Sequence, residues 1–377
     1  RDAMPNTDVN LYHLAPEISL LGLAILVILA DLVVRRKAVL AWGTLGGLVV
    51  PMALVLSLWG REESSFGGAL AVDQFALFFK LLVLGTVFLV VLASQDYVSR
   101  FSRFTGEYYG LILLAAVGMM LVAGTRELIS IYLSLELTTL SMVALTAFLK
   151  DGKSTEAAIK YLVLSAIASG VMLYGMALVF GLTGSTYLTE IAARVRELDL
   201  ISPGGHLLEN GALLLGFLFL VAGFGFKIAT VPFQMWVPDV YQGSPTPITA
   251  YLSVASKAAG FAVILRVFYL ALGNVSIDWS MLFAVLAVAS MSLGNFVAIS
   301  QNDIKRLLAY SSIAHAGYIM VGLAAVATRV PGGEMLGPQA VLFYLGAYAF
   351  TNLGAFFVVI AIGNKIKSDN IDDYAGM

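Results

Sequence analysis

The chain has no cysteine. Iron–sulfur ligation, thiolate zinc sites, disulfides and c-type haem attachment are therefore excluded. Histidine is nearly absent as well: His13, His206 and His315 are the three. Only His315 falls deep in an apolar stretch, which argues against a haem held between paired histidines. Charge is sparse, at 12% of residues with a net charge of −2. That leaves no basic surface for nucleic acid and no charged tail for a soluble partner. No phosphate-binding loop or dinucleotide fingerprint is present, and glycines such as Gly223 and Gly225 lie inside an apolar run. Redox chemistry coupled to this chain is expected on other polypeptides. Arg1 to Asn10 does not read as a signal peptide, having no basic region before a small-residue cleavage site. The chain neither opens on Met nor closes on a finished element at Asp373–Met377, so either end is expected to be incomplete.

What the chain does have is hydrocarbon: 59% of residues are hydrophobic and the mean hydropathy is +0.89. A membrane-spanning helix needs about 20 apolar residues. Eleven segments qualify, over 14–34, 38–59, 74–94, 108–124, 127–149, 157–182, 211–236, 246–272, 280–300, 304–328 and 339–363. The expected fold is an all-α polytopic membrane protein without a soluble domain. The longest connection, 183–210, carries Arg194, Arg196, Glu197, Pro203 and Gly204-Gly205 and reads as a surface excursion with a short amphipathic helix. Loops after odd-numbered segments hold Arg35, Arg36, Lys37, Arg100, Arg103, Lys150, Lys153, Lys305, Arg306, Lys365 and Lys367. Even loops hold Arg61, Arg126, Arg194, Arg196 and Arg329. By the positive-inside rule the odd loops face the cytoplasm and the N-terminus lies outside. Trp42, Trp59, Trp236 and Trp279 are expected as interfacial anchors.

The seventh segment is too long. Gly211 to Val237 as one helix would measure about 40 Å, against a core of about 30 Å. Lys227 is followed by Pro232 and Pro238, and proline removes a backbone donor and clashes with the preceding turn. A helix broken inside the membrane is tolerated where freed backbone lines a polar cavity, as at transport sites. An internal repeat is also indicated. The interval from Arg126 to Glu136 recurs from Lys305 to His315, five segments later. Five is odd, so the two units would be inverted.

Three charges sit where hydrocarbon should be: Glu136, Lys227 and Lys257. Each costs at least about 2.5–3.5 kcal/mol at a helix centre. Glu136, in Ser134-Leu135-Glu136-Leu137-Thr138-Thr139, could be a neutral packing acid; the rarity of central carboxylates favours a proton site whose affinity depends on a nearby lysine. Lys227 sits just before the break with apolar chain beyond it, so its head stays inside, where reversible proton binding is possible. Lys257 lies mid-span among small residues, with a salt bridge to a neighbouring helix as the plainer reading. His315 fits equally a packing histidine and a relay group. Lys80, Lys160 and Lys305 are secondary candidates; Lys80 and Lys160 lie nearer their span ends, where snorkelling is the commoner role.

Several strings resemble one family. They are Glu156-Ala157-Ala158-Ile159-Lys160-Tyr161, Gly225-Phe226-Lys227 with Val231-Pro232-Phe233-Gln234-Met235-Trp236-Val237-Pro238-Asp239-Val240-Tyr241, Gly243-Ser244-Pro245-Thr246-Pro247 and Lys305-Arg306-Leu307-Leu308-Ala309-Tyr310-Ser311-Ser312. The sequence resembles the antiporter-like membrane subunits of bacterial complex I (NADH:quinone oxidoreductase), related to Mrp-type cation/proton antiporters. Pro-Asp-Val-Tyr followed by Gly-Ser-Pro-Thr-Pro points to the subunit N type or its cyanobacterial and plastid counterpart. The resemblance implies a proton-translocating subunit without a redox cofactor, FMN, iron–sulfur clusters and quinone belonging to other subunits. Its partners would be neighbouring complex I membrane subunits and lipids, in a bacterial inner membrane, or a thylakoid membrane for a cyanobacterial-type homologue. It also implies that Glu136 on the fifth helix pairs with Lys227 on the broken seventh, that Lys257 on the eighth continues the path, and that His315 joins a central polar axis. The expected organisation is a three-helix segment over 1–106, a five-helix repeat over 107–272 and a truncated second repeat over 273–377. Two departures stand out: Gln234 replaces a usual histidine, and the family's fourteen helices include a second broken one, the twelfth, with a further lysine, where this chain ends. The rival readings are an Mrp-type Na⁺/H⁺ antiporter subunit and a structural membrane subunit that moves no protons.

Overall fold

The structure, a computed structural model, describes residues 9–34, 37–98, 104–197, 211–272, 276–325 and 336–376. Among them are eleven helical spans: Leu11–Val33, Lys37–Ser57, Gln74–Gln95, Thr105–Gly124, Leu128–Thr146, Gly152–Thr183, Gly211–Ile228, Thr246–Ala271, Trp279–Ala298, Ile304–Ala324 and Leu336–Ile366. They coincide with the eleven expected segments. The loop residues Arg35, Arg36, Arg100, Arg103 and Arg329, with Pro203, Gly204, Gly205 and His206, lie outside the described residues. The excursion after the sixth span opens with the short helix Leu188–Glu197, which buries Leu188, Ile191 and Val195.

The break expected in the seventh segment falls after Ile228, and Val237–Gly243 forms a separate short helix. An unexpected feature follows the second span. Residues 60–73 hold a two-stranded antiparallel hairpin, β1 (Glu63–Ser65) and β2 (Leu70–Val72). Its turn uses left-handed backbone at Phe66, Gly67 and Gly68. His13 at the start of the first span fastens it, hydrogen-bonding Ser65 Oγ at 2.5 Å and Glu63 Oε2 at 2.8 Å.

The eighth span is the axis of the molecule, buried over nearly its whole length. Small residues allow this: a Cβ at Gly260 would meet Ile228 Cγ2 at 2.7 Å. The fourth and fifth spans touch more closely still. A Cβ at Gly118 would lie 2.5 Å from Thr138 Oγ1 and 2.7 Å from the Ser134 carbonyl. Outward-facing positions carry Leu32, Leu133, Ile167, Phe343 and Phe350, the apolar surface that lipid requires. Trp42 and Trp59 are exposed, as anchors should be, but Trp236 and Trp279 are buried. Each of these two indoles instead donates to a carbonyl near a helix end, Trp236 to Phe226 and Trp279 to Leu272, both at 3.0 Å. A buried indole N–H needs such a partner.

The internal repeat is visible in backbone hydrogen bonds. Leu128 N–H donates to the Thr186 carbonyl at 2.9 Å and Leu188 N–H to that of Arg126 at 3.0 Å. Ile304 N–H donates to Asp369 at 2.9 Å and Ile371 N–H to Asn302 at 2.8 Å in the same pattern. Glu127 caps the fifth span through Ile129 and Ser130 N–H, and Asp303 caps the tenth through Lys305 and Arg306 N–H. The sixth and eleventh spans both lead into a left-handed residue, Gly184 and Lys367, whose N–H returns to Phe180 and Gly363. Glu127 therefore corresponds to Asp303, and Gly184 to Lys367. This corrects the register expected from spacing. Glu136 and Ser312 each lie nine residues past their caps, while His315 corresponds to Thr139. The charge spacing is coincidental because the capping carboxylates, not the nearby cations, start the two helices.

Candidate functional site

Glu136 and Lys227 meet as expected. Lys227 Nζ lies 3.8 Å from Glu136 Oε1 and donates to Thr139 Oγ1 at 2.6 Å. Ser169 Oγ, from the sixth span, donates to Glu136 Oε1. The lysine side chain is 6% exposed and the glutamate 23%, so the carboxylate is the more accessible half of the pair. Thr139 lies three residues after Glu136, one turn along the same helix face. Lys227 thus bridges a hydroxyl and a carboxylate presented by one helix.

The break behind Lys227 is well satisfied. Ala229 takes a left-handed φ of 63° and Val231–Pro232 is cis. Thr230 N–H donates to Gly225, Val231 N–H donates to Ser290 Oγ at 3.0 Å, and Thr230 Oγ1 lies 2.9 Å from the same hydroxyl. Ser290, on the ninth span, and Trp236 together accommodate backbone that leaves the helix, as a membrane interior demands. Trp236 stacks on Tyr161 with ring centroids 4.7 Å apart. Gln234 has a buried Oε1 without a hydrogen-bond partner among the described residues.

Lys257 is 2% exposed and follows a π-helical turn, Leu252–Ser256, of the kind frequent at functional sites. Its Nζ donates to Ser312 Oγ at 2.6 Å and to the Ser312 carbonyl. Tyr348 Oη donates to Ser312 Oγ at 3.0 Å, and Tyr241 Oη lies 3.3 Å from it. Lys257 forms no salt bridge among the described residues, so that plainer reading is not what the structure shows. His315, one turn beyond Ser312, pairs through Nδ1 with Tyr344 Oη at 2.7 Å and sits against the rings of Tyr318 and Tyr348. It belongs to the same polar cluster without touching Lys257 by hydrogen bond.

The secondary lysines divide. Lys80 does not snorkel: it is fully buried and 2.7 Å from Glu17 Oε1, itself 3% exposed. The inward position of Glu17 on the first span explains this, since a buried carboxylate outcompetes the interface for the ammonium. Lys160 is 43% exposed and bridges Glu156 and Asp239, each at 2.7 Å, while Asp239 also binds Arg306 Nη1 at 2.6 Å. Lys305 is buried, donates to the Ser244 carbonyl at 2.9 Å and lies 3.8 Å from Asp369.

One cluster escaped sequence reasoning. Asp73 receives both terminal nitrogens of Arg266 at 2.6 Å and Arg126 Nη2 at 2.9 Å, while Arg266 Nε donates to the Ala123 carbonyl. Burial alone would raise the Asp73 pKa, but the Arg266 guanidinium, the Ala76 N–H and Arg126 hold it down to about 2. Glu127, at the opening of the fifth span, is likewise held low: burial opposes this, and Ser130, Thr186 and the Ser130 and Ile129 N–H groups outweigh it. The available signal was Arg266 itself, a cation within an apolar span. No group of three or more metal-ligating side chains occurs among the described residues.

A bundle with a broken seventh helix and a buried carboxylate–lysine pair is an antiporter-like membrane subunit. The family described as NADH:quinone oxidoreductase/Mrp antiporter, transmembrane, matches residues 125–377, and the chain belongs to that family. It is 47% identical over 367 residues to the NADH-quinone oxidoreductase subunit N of Dehalococcoides mccartyi, covering 96% of this chain and 75% of that protein. It is 43% identical to that of Trichlorobacter lovleyi, covering 98% and 74%. Among solved structures, a chain of respiratory complex I from Thermus thermophilus superposes with a TM-score of 0.71 at 33% identity, covering 94% of this chain and 71% of that one. A chain of the archaeal membrane-bound sulfane sulfur reductase shares the fold, with a TM-score of 0.82 at 24% identity over 97% and 73%.

Proposed function

We propose that this chain is a proton-translocating subunit of the N type in an NADH:quinone oxidoreductase of a bacterial cell membrane, with its redox cofactors on other subunits and its edges packed against other membrane-arm subunits. The observation that carries this is the Glu136–Lys227 pair at 3.8 Å beside a helix break, with Thr139 and Ser169 as hydroxyl partners. A carboxylate and an ammonium in a medium of low dielectric interact strongly, so a small displacement of either changes how firmly the proton on Lys227 is held. Quinone reduction elsewhere shifts a neighbouring subunit; Glu136 moves; Lys227 loses its anion and gives up its proton toward Lys257 and the Ser312–Tyr348 cluster.

The test is the intact complex in proteoliposomes, with quinone reduction and proton uptake measured together. Glu136→Gln keeps the shape and removes the charge, so assembly is retained and pumping falls by about a hundredfold, the scale of a positioned acid–base group. Lys227→Ala abolishes pumping. Wild-type proton uptake in both variants refutes the reading, and sodium uptake in place of proton uptake reassigns the ion.

A further inference from the structure

The two backbone clasps pair the two units residue by residue, and one position has changed chemistry between them. Glu136 lies nine residues beyond its cap, Glu127, and Ser312 nine beyond Asp303. Fifteen residues before the left-handed Gly184 is Ser169, which donates to Glu136; fifteen before Lys367 is Asn352, which donates to Ser253 Oγ on the eighth span. The matching positions on the sixth and eleventh spans both carry a polar side chain turned inward, but Asn352 bonds Ser253 rather than Ser312, so the correspondence of Glu136 and Ser312 rests on the two caps. Where the first unit presents a carboxylate to a buried lysine, the second presents a serine.

We propose that Ser312 is the counterpart of Glu136, a neutral seat that positions Lys257, and that its neutrality keeps this lysine able to release a proton. This rests on the proton-transfer reading of the site. A serine hydroxyl offers one donor and two acceptor sites. Here it accepts from Lys257 at 2.6 Å and from Tyr348 at 3.0 Å, leaving its hydrogen for Tyr241 at 3.3 Å. The Ser312 carbonyl accepts from Lys257 as well. Ser312 is fully buried; among the described residues these groups hydrogen-bond around the ammonium, and His315, paired with Tyr344, is the ionisable imidazole beside them. A hydrogen bond between an ion and a neutral group is weaker than contact between opposite charges in the same medium. The tenth span's counterpart in the first unit thus holds Lys227 through an anion, whereas Ser312 in the second unit cradles Lys257 of the eighth span through dipoles. A positive charge passing between them meets a holding site and then a releasing one.

The experiment replaces Ser312 in the intact complex by Thr, Ala and Asp, with Lys257→Ala as control. The readouts are assembled complex, quinone reduction, protons taken up per quinone reduced, and the pH profile of pumping. Ser312→Thr keeps the hydroxyl and restores most of the pumping that Ser312→Ala loses, with an unmoved profile. Ser312→Ala lowers the rate of proton uptake about tenfold, the factor expected from losing one hydrogen bond to a charged group. Ser312→Asp recreates the carboxylate, stalls pumping more severely and displaces the pH profile. The inference is overturned if Asp and Ala both pump as wild type with an unmoved profile, or if Thr fails as badly as Ala. If Ser312→Asp does not assemble, the Thr and Ala comparison decides. Wild-type pumping by Lys257→Ala overturns the proton-transfer reading of Lys257 itself, whereas loss in Lys257→Ala with normal pumping in the Ala and Asp variants overturns only the role of Ser312.

Discussion

Lys80 and Lys160 look alike in sequence, each a lysine near the start of an apolar segment, and the structure separates them by their partners. Lys160 stands at the surface among carboxylates, where an ion pair contributes little. Lys80 faces Glu17 between the third and first spans, with neither group otherwise hydrogen-bonded among the described residues. Breaking one half of such a pair strands a buried charge and costs about 3–5 kcal/mol, while replacing both by apolar groups of similar volume is often neutral. Lys80→Met should therefore lower the thermal unfolding temperature of the detergent-solubilised protein, Glu17→Leu should do the same, and the double variant should recover most of the loss. Lys160→Met should leave it unchanged. Additive losses in the double variant would mean the two charges are not coupled. Sequence could not supply this distinction, because Glu17 and Lys80 belong to different spans and nothing in either string marks the other.

At the scale of elements, the seventh helix was legible and its supports were not. Lys227, Pro232 and the excessive length of the segment announced a break, but Ser290 on the ninth span and Trp236, which receive the freed backbone, carried no signal. The register of the repeat failed for a related reason: caps set it, and a capping carboxylate in a loop resembles any other polar loop residue. Close packing of the fourth and fifth spans is what aims Glu136. Gly118→Ala would press a Cβ against the Ser134 carbonyl and Thr138 amide, backbone that cannot rotate away. Overpacking of this kind costs about 1–3 kcal/mol, so the variant should unfold at lower temperature and pump less per quinone reduced. Wild-type values for both would show that the spans can separate freely. The Asp73 clamp ties the third, fourth and eighth spans and makes a prediction about pH. Its folded pKa of about 2 lies below the ordinary 3.8, so its contribution is complete above about pH 4 and is lost as pH falls toward 2. Thermal unfolding measured between pH 6 and about 2.5 should show a decline in the wild type that is smaller in Asp73→Asn, which starts lower. Parallel pH curves for the two proteins would remove Asp73 as the source.

For the whole molecule, the eleven spans followed from hydropathy because each is long and apolar, and lipid forces every backbone group to be satisfied within a helix. Side-chain partners across the bundle did not follow, since apolar surroundings look alike from every helix. Orientation is a separate question, decided by charge outside the bundle. Lys37, Lys150, Lys153, Lys305, Lys365 and Lys367 lie on one side of an alternating count, with Arg61, Arg126, Arg194 and Arg196 on the other. The rule then places the richer side in the cytoplasm and the β1–β2 hairpin outside. The absence of cysteine makes this directly measurable. Ser64, exposed in the hairpin, and Thr155, exposed at the opening of the sixth span, are separated by the third, fourth and fifth spans, an odd number of crossings. Single cysteines at these two positions should label from opposite sides, Ser64→Cys with an impermeant maleimide in intact cells and Thr155→Cys only after the membrane is opened. Reaction of both from one side would contradict the span count. Reversal would keep the count and turn the proton path around, because a neighbouring subunit can hold a helix bundle against its own charge bias.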